Sequence, residues 1–231
     1  ELQSSSGVSQ QGRVRDDFGD WFGCNNSTLL IHFPLPEKYL RRNLNFAAPD
    51  PSINVYGDPD PNALFPISYT LERFNVPNSA NHTTSACGVE IYRDDLLGKN
   101  YYGNSFVCEP VHNLVHRYLL EKKGVAFASH RPADEQTTEF LASTDNWFRP
   151  VETRTGPDGA LWIVDMYRFV IEHPMWIPAE RLAKLDVRAG DDKGRIYRVY
   201  PKGEKLQPLQ DLTKIKTTKL VALLETSNGT E

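Results

Sequence analysis

The chain has 231 residues, of which 39% are hydrophobic and 24% charged, with a formal net charge of -4. This composition indicates a folded core and excludes wholesale disorder. No run of basic residues offers a nucleic-acid backbone a concentrated positive face, and no apolar stretch approaches the roughly 20 residues that span a bilayer.

The opening residues are a polar, serine-rich lead-in without the character of a signal peptide. The chain also lacks a starting methionine. We therefore expect a fragment of a longer protein, with any export signal upstream.

Short strand-like segments separated by turn residues then predict an antiparallel meander. The segments of the first group are GRVR from Gly12, WFGC from Trp21 and LLIHF from Leu29. Residues 35–82 are rich in proline, which cannot occupy a central strand, and are predicted to be an insertion with one strand near Ile53–Tyr56. The meander resumes with strands predicted over 86–92, 104–108, 113–120, 125–129 and 138–141.

The stretch WFRPVETRTGPDGALWIVDMYR, from Trp147 to Arg168, organises the remainder. Pro157, Asp158 and Gly159 form a tight-turn signal, and the apolar run that follows is typical of a buried strand. Arg149 precedes the turn and Asp165 ends the strand after it, so both are predicted at strand ends.

Residues 166–193 form a second predicted insertion, with helix signals over 178–184. In GRIYRVY, from Gly194, apolar and charged residues alternate as they do in an edge strand. Residues 204–231 are predicted to be a linker followed by a short amphipathic helix at Thr217–Glu225.

Cys24, Cys87 and Cys108 fit neither a disulfide framework nor a zinc site. Buried free thiols are the favoured interpretation, and a Cys87–Cys108 bridge remains open. There is no CxxCH motif and therefore no haem attachment in this chain.

A glycine turn followed by an inner and an outer strand recurs around Gly12, Gly88–Gly103 and Gly156–Gly194. Sheets of about four strands, each taking about 40–50 residues, are the unit of a β-propeller. The predicted fold is therefore all-β, a partial propeller of about three blades over residues 1–203, with long loop insertions and a short C-terminal helix.

Three stretches together resemble a known family. SACGVEIYRDDLLGKNYYGNSFVCEPVHNLVHRYLL, the Trp147–Arg168 stretch and GRIYRVYPKG are similar to the C-terminal half of soluble glucose/sorbosone dehydrogenase-like propellers, as found in planctomycete putative membrane-bound dehydrogenases. SQQGRVRDDFGDWFGCNNS and VIEHPMWIP belong to the same narrower pattern.

The resemblance implies a six-bladed propeller that holds pyrroloquinoline quinone (PQQ) and calcium and oxidises a sugar or alcohol. It also implies export to the periplasm or cell surface and electron transfer to a cytochrome c. Residues 204–231 would then begin a helical-repeat region.

The resemblance maps cofactor contacts onto only a few residues of this chain. Arg149 matches the second arginine of a pair that binds the quinone carboxylates, whereas Trp147 replaces the first and can stack but cannot neutralise a carboxylate. Gln11 lies where relatives carry a glutamine near the cofactor. The general base falls in the half of the family pattern that this sequence does not cover.

Position and chemistry add three further candidates. His112 and His82 are candidates to face the cofactor pocket, with a loop hydrogen bond as the alternative for His82. Asp165 is a candidate calcium ligand, although a cap of the following turn is the favoured interpretation. His112 and His116 are about 13 Å apart if both lie on a strand and would not share a metal ion.

Two alternatives to an exported quinoprotein-like dehydrogenase remain open. The first is a non-catalytic propeller that serves as a scaffold or ligand-binding module, and the Trp147 replacement favours it. The second is a calcium-dependent lactonase, since similar propellers host that chemistry.

Overall fold

A computed structural model describes residues 9–69 and 80–230 of the chain. This part of the chain is mostly β, with three antiparallel sheets and a few short helices. The all-β class expected from the sequence is confirmed at this level.

The first sheet has the strand order β1-β2-β3-β4. Its strands are β1 (Val14–Arg15), β2 (Trp21–Asn25), β3 (Thr28–Phe33) and β4 (Ile53–Asn54). The β2–β3 hairpin turns at Asn26 and Ser27, where the side chain of Asn25 accepts the main-chain N–H of Ser27 at 3.1 Å. Asn25 thus ends β2 and caps the turn with its side chain.

The second sheet is built on the order β5-β6-β7-β8. Its strands are β5 (Cys87–Ile91), β6 (Ser105–Glu109), β7 (Leu114–Lys123), β8 (Ala126–His130) and β9 (Leu141–Ala142). The first half of β7 pairs with β6, its first two residues also pair with β9, and its second half pairs with β8, so a single ten-residue strand has three partners.

The third sheet contains β10 (Pro150–Thr155), β11 (Leu161–Asp165) and β12 (Arg195–Val199). Gly156 closes the β10–β11 turn by donating its N–H to the carbonyl of Ala160 at 2.8 Å, and Gly159 has φ +82°. The β1–β2 turn repeats this arrangement, because Asp16 N–H donates to the carbonyl of Asp20 at 3.1 Å and Gly19 has φ +92°. The Pro157–Gly159 turn thus opens a strand, as predicted.

The helices are short: α1 (Glu37–Leu40), α2 (Ala179–Leu182) and α3 (Thr217–Leu223). The last two confirm the helices predicted over 178–184 and 217–225, with narrower bounds. Among the residues described, no helix has the length and apolarity needed to cross a membrane.

The three sheets pack against one another in chain order. β2 and β3 contact β5, whereas β10 contacts β5 and β6, so the second sheet lies between the other two. Its residues alternate between two cores, as the period of a strand requires. One core holds Val89, Ile91, Val107, Leu114 and Tyr118 against the first sheet, and the other holds Cys87, Phe106, Cys108 and Val115 against the third.

Most of the described residues in the proline-rich segment 35–82 are exposed or half-buried, and residues 70–79 lie outside the described chain. Val55 and Leu64 are 1% and 2% exposed and join the core between the first two sheets. Apolar side chains separated by prolines can still fill a core, because only the backbone pairing is lost. Residues 166–193 are largely exposed, with Ile177 as a buried anchor.

Cys87 and Cys108 lie directly opposite each other on β5 and β6, as the bridge hypothesis required. All three cysteines are nevertheless free and buried. Burial raises the pKa of the Cys24 thiol to about 12 and moves those of Cys87 and Cys108 in the same direction. These thiols are core side chains with little nucleophilic character.

Candidate functional site

Polar residues of the second and third sheets converge at one end of their strands, which we call the Arg149 end. It consists of the β6–β7 turn (Glu109–Asn113), the segment Trp147–Arg149 before β10, and Asp165–Tyr167 at the end of β11. The Pro157–Gly159 turn lies at the other end of β10, about 17 Å away at 3.3 Å per residue.

Arg149 is 4% exposed and connects the segments of this end. Its guanidinium donates to the carbonyls of Pro110 (2.8 Å), Arg168 (2.8 Å) and Phe169 (2.8 Å). The planar fork thus positions main chain from the β6–β7 turn and from the segment after β11.

Asp165 is 1% exposed and caps the same junction. Its Oδ1 accepts the N–H groups of Arg149 and Tyr167, both at 2.8 Å. Its Oδ2 has no hydrogen-bond partner among the residues described. Buried carboxylate oxygens normally have partners, so this atom is the one most suited to receive a donor from a ligand.

Glu109 is fully buried next to His112 and accepts several hydrogen bonds. Its Oε1 accepts the main-chain and hydroxyl groups of Thr84 and Ser85, and its Oε2 accepts His112 N–H at 2.9 Å and contacts His112 Nδ1 at 2.8 Å. Burial raises the pKa of Glu109, but the His112 side chain and the N–H groups of Thr84 and His112 outweigh it and lower the pKa to about 2. Glu109 is therefore ionised, and it orients the imidazole of His112.

His112 is itself 4% exposed, and Glu109 engages its Nδ1. A hydrogen bond from Nδ1–H to the carboxylate leaves Nε2 with a lone pair, which can accept a proton or a hydroxyl hydrogen bond.

His116 has a different environment, as the strand interpretation of the spacing requires. It lies within β7, and its Nδ1 contacts Glu139 Oε2 at 2.7 Å while Arg131 binds the other oxygen of Glu139 at 2.8 Å. The two histidines thus bind separate carboxylates. Among the described residues, no three histidine, cysteine, aspartate or glutamate side chains are grouped in a way that could hold a metal ion.

Trp147 packs in an aromatic cluster at the edge of the Arg149 end. Its ring centroid lies 5.6 Å from that of Tyr167 and 5.7 Å from that of Phe169, at interplanar angles of 40° and 34°. Tyr167 has φ +50°, and the Asp165 carboxylate holds its N–H. The indole therefore helps to fix the turn after β11.

The other two predicted cofactor residues lie apart from this group. Gln11 is exposed in the turn before β1, with φ +62°. The His82 side chain is 49% exposed and contacts the carbonyl of Ala80 and Asp60 Oδ2 at 3.2 and 3.0 Å, and both contacts raise its pKa. In the part of the chain that is described, no hydrogen bond or ring contact joins either residue to Arg149.

Sequence reasoning missed Glu109 and Asn113. Asn113 adopts φ +58° and donates its side-chain amide to the carbonyl of Phe148 at 2.6 Å, which ties the β6–β7 turn to the segment before β10. An asparagine between two strands is a known turn signal, but its long-range contact has no local signature.

PQQ and calcium, the cofactors that the resemblance implies, need different ligands. The carboxylates of PQQ need an arginine fork, whereas the guanidinium of Arg149 is directed at main-chain carbonyl groups. Calcium takes 6–8 oxygen ligands, to which Asp165 Oδ2 would contribute one. The arrangement of Arg149 therefore does not fit a quinone ligand, while Asp165 keeps one oxygen for a cation or a hydroxyl group.

A family model described as a domain of unknown function (DUF7133) matches residues 1–203. No curated protein and no solved structure matches the chain.

Proposed function

The chain belongs to the DUF7133 family, and we propose that it forms part of a β-propeller in an exported, quinoprotein-like sugar or alcohol dehydrogenase. The substrate would bind at the Arg149 end, and electrons would pass to a cytochrome c. The sequence resemblance to glucose/sorbosone dehydrogenase-like propellers supports this activity.

The architecture is compatible with the propeller part of the proposal. The strands of each sheet follow one another in chain order, with β9 added beside β7 in the second, and the sheets stack face to face in chain order. The β1–β2 and β10–β11 turns repeat the same hydrogen bonds and the same left-handed glycine, as repeated blades would. Burial of the second sheet on both faces is the environment of an inner blade.

The observation that carries the ligand-binding part is the unsatisfied Oδ2 of Asp165 beside Arg149, whose guanidinium also holds the turn that contains His112. A sugar hydroxyl could donate to Asp165 Oδ2. His112, oriented by ionised Glu109, could accept a hydroxyl proton at Nε2. In this proposal Arg149 is a positioning residue for both groups.

A quinone, if bound, would supply the two-electron oxidation. Its carboxylates would be held by residues other than Arg149, whose fork is engaged with main-chain carbonyls. Asp165 would coordinate calcium together with oxygen ligands from other residues.

The engagement of Arg149 also favours a second candidate, a non-catalytic propeller that binds a ligand or scaffolds a larger surface protein. Here His112 and Asp165 would recognise a polar ligand without proton transfer.

One experiment separates the two candidates. The full-length protein, incubated with PQQ and Ca²⁺, is assayed for dye-linked oxidation of a panel of aldoses and alcohols, beside His112→Gln, Asp165→Asn and an exposed control, Glu121→Gln. The dehydrogenase proposal expects oxidation that both site variants reduce by about 100-fold or more, the usual contribution of a general base. If no substrate is oxidised while PQQ demonstrably fails to bind, the dehydrogenase is rejected and the scaffold remains.

A further inference from the structure

A concave site lies at the end of the sheets opposite the Arg149 end. It has a volume of about 610 Å³ and is lined by the first strands of the sheets together with the Gly156–Pro157 turn. Its basic and aromatic side chains, which we call the Arg–Trp groove, are Arg13, Arg15, Trp21, Arg93, Arg154 and Trp162. The volume is that of a small-ligand site.

The groove places an arginine beside a tryptophan on two different sheets. Arg15 is the register partner of Trp21 across β1–β2, and Arg154 is the register partner of Trp162 across β10–β11. The guanidinium carbon of Arg15 lies 5.8 Å from the centroid of the Trp21 ring. Each pair combines a fork for an anion with a flat surface for a ring.

The indole of Trp162 is fixed in position. Its Nε1 donates to Oδ1 of the buried Asp158 at 2.8 Å, and it lies directly against the main chain of Gly156, where a Cβ atom would collide with it. A side chain held in this way loses little conformational entropy when a ligand packs against it.

Positive charge predominates among the residues that line the groove, since Glu90 is the only carboxylate among them. Glu152 neutralises part of Arg154 at 2.6 Å, and Asp17 part of Arg93 at 2.9 Å. Arg15 is exposed and forms no ion pair with any described residue. Oε1 of Glu90 accepts the N–H and hydroxyl of Thr155 at 3.0 and 2.7 Å, and its Oε2 lies 3.5 Å from Nη1 of Arg154. Arg154 is therefore paired with both Glu90 and Glu152.

We propose that the Arg–Trp groove binds a small planar aromatic carboxylate. The ring of the ligand packs against Trp21 and Trp162, and its carboxylate groups accept hydrogen bonds from Arg15 and Arg154. An inorganic anion would make no stacking contact with the indoles, and a neutral ring would form no ion pair with the arginines. The site is distinct from the Arg149 end and does not depend on the proposed oxidation.

The test uses phthalate as the probe and phthalamide, its uncharged analogue, as the matched ligand. Binding to the full chain is followed by tryptophan fluorescence and by calorimetry, with inorganic phosphate as a third ligand. We expect saturable binding of phthalate with Kd of about 1 mM or tighter. Phthalamide and phosphate should bind at least about tenfold more weakly than phthalate, because a tenfold loss corresponds to one charged hydrogen bond.

Variants assign the binding to the groove. Arg15→Gln and Arg154→Gln should each weaken phthalate binding by about tenfold or more. Arg154→Lys should have an intermediate effect, because it keeps the charge but loses the planar fork. Trp21→Leu should weaken binding without changing its salt dependence. Arg188→Gln, at an 82% exposed side chain outside the groove, is the control and should bind as the wild type does. Arg15 is exposed, so its replacement tests the site without endangering the fold. Equal binding of phthalamide, or unchanged affinity in Arg15→Gln, would overturn the proposal.

Discussion

The main-chain N–H of Arg149 donates to Oδ1 of Asp165 at 2.8 Å, and this bond joins the entry of β10 to the exit of β11. The same oxygen accepts Tyr167 N–H, while Arg149 extends its guanidinium to carbonyls on both sides. The Arg149 end is therefore a junction of main chain as much as a candidate ligand site. The two roles respond differently to mutation.

Replacing Asp165 with alanine should destabilise the chain, because it leaves the buried N–H groups of Arg149 and Tyr167 without an acceptor. Each unsatisfied donor costs about 1–3 kcal/mol. Asp165→Asn keeps Oδ1 as an acceptor and should cost less. Urea unfolding of the two variants and the wild type measures the difference, and equal stabilities for Ala and Asn would show that the cap contributes nothing.

Glu109→Gln should be among the most destabilising single changes, at about 3–5 kcal/mol, because an amide group would face donors that need an ionised acceptor. Glu121→Gln, at a side chain that is 53% exposed, is the control and should unfold as the wild type does. Chemical denaturation at neutral pH gives both values. A small effect at Glu109 would mean that its donors find other partners.

Glu109 should also contribute to the acid sensitivity of the fold. Its pKa falls from an ordinary 4.5 to about 2 in the folded chain, so its stabilisation is complete above pH 4.5 and is lost as the pH falls towards 2. Glu109→Gln should flatten the dependence of the unfolding free energy on pH in this window. Glu90, Glu135 and Glu152, whose pKa values burial raises, act in the opposite sense and are unchanged in the comparison.

His116 should give a separate pH dependence near neutrality. Burial lowers its pKa below 6.5, against the opposing effect of Glu139, and Arg131 adds to the lowering. The unfolded chain therefore binds a proton before the folded chain does, and stability should fall as the pH drops below about 6.5. His116→Asn keeps a donor near the position of Nδ1 but does not titrate, so its unfolding free energy should change less between pH 7.5 and 5.5.

Other histidines set the baseline for that measurement. The pKa of His32 is lowered by burial and contributes a slope of the same sign, whereas the raised pKa of the exposed His82 contributes the opposite one. The slope should thus be reduced in His116→Asn and not abolished. Identical slopes in the wild type and the variant would contradict the assignment.

The strands were predictable because their signals are local. Turn residues such as Asn26, Ser27 and Gly159 separate the apolar runs, and the runs became strands within a few residues of the expected bounds. Burial of Val55 was not predictable, since it depends on the space between two sheets distant in sequence. The contacts of Arg149 were hidden for the same reason, because main-chain carbonyls from residues 110 and 168–169 leave no side-chain pattern to read.

The contact between the second and third sheets leads to the last prediction. Gly88 lies in the β5 bulge with φ +58°, and a Cβ atom there would overlap the carbonyl oxygen of Val151 in the third sheet. Gly124 has φ +65° but open space around it, so an alanine there has the backbone strain without a collision and serves as the control. Gly124→Ala should cost about 1 kcal/mol, the strain of a left-handed alanine, whereas Gly88→Ala adds the displacement of β10 and should cost at least about 2 kcal/mol more. Thermal and urea unfolding of the pair tests the packing of the two sheets directly. Equal costs would mean that β10 does not approach β5 as closely as described.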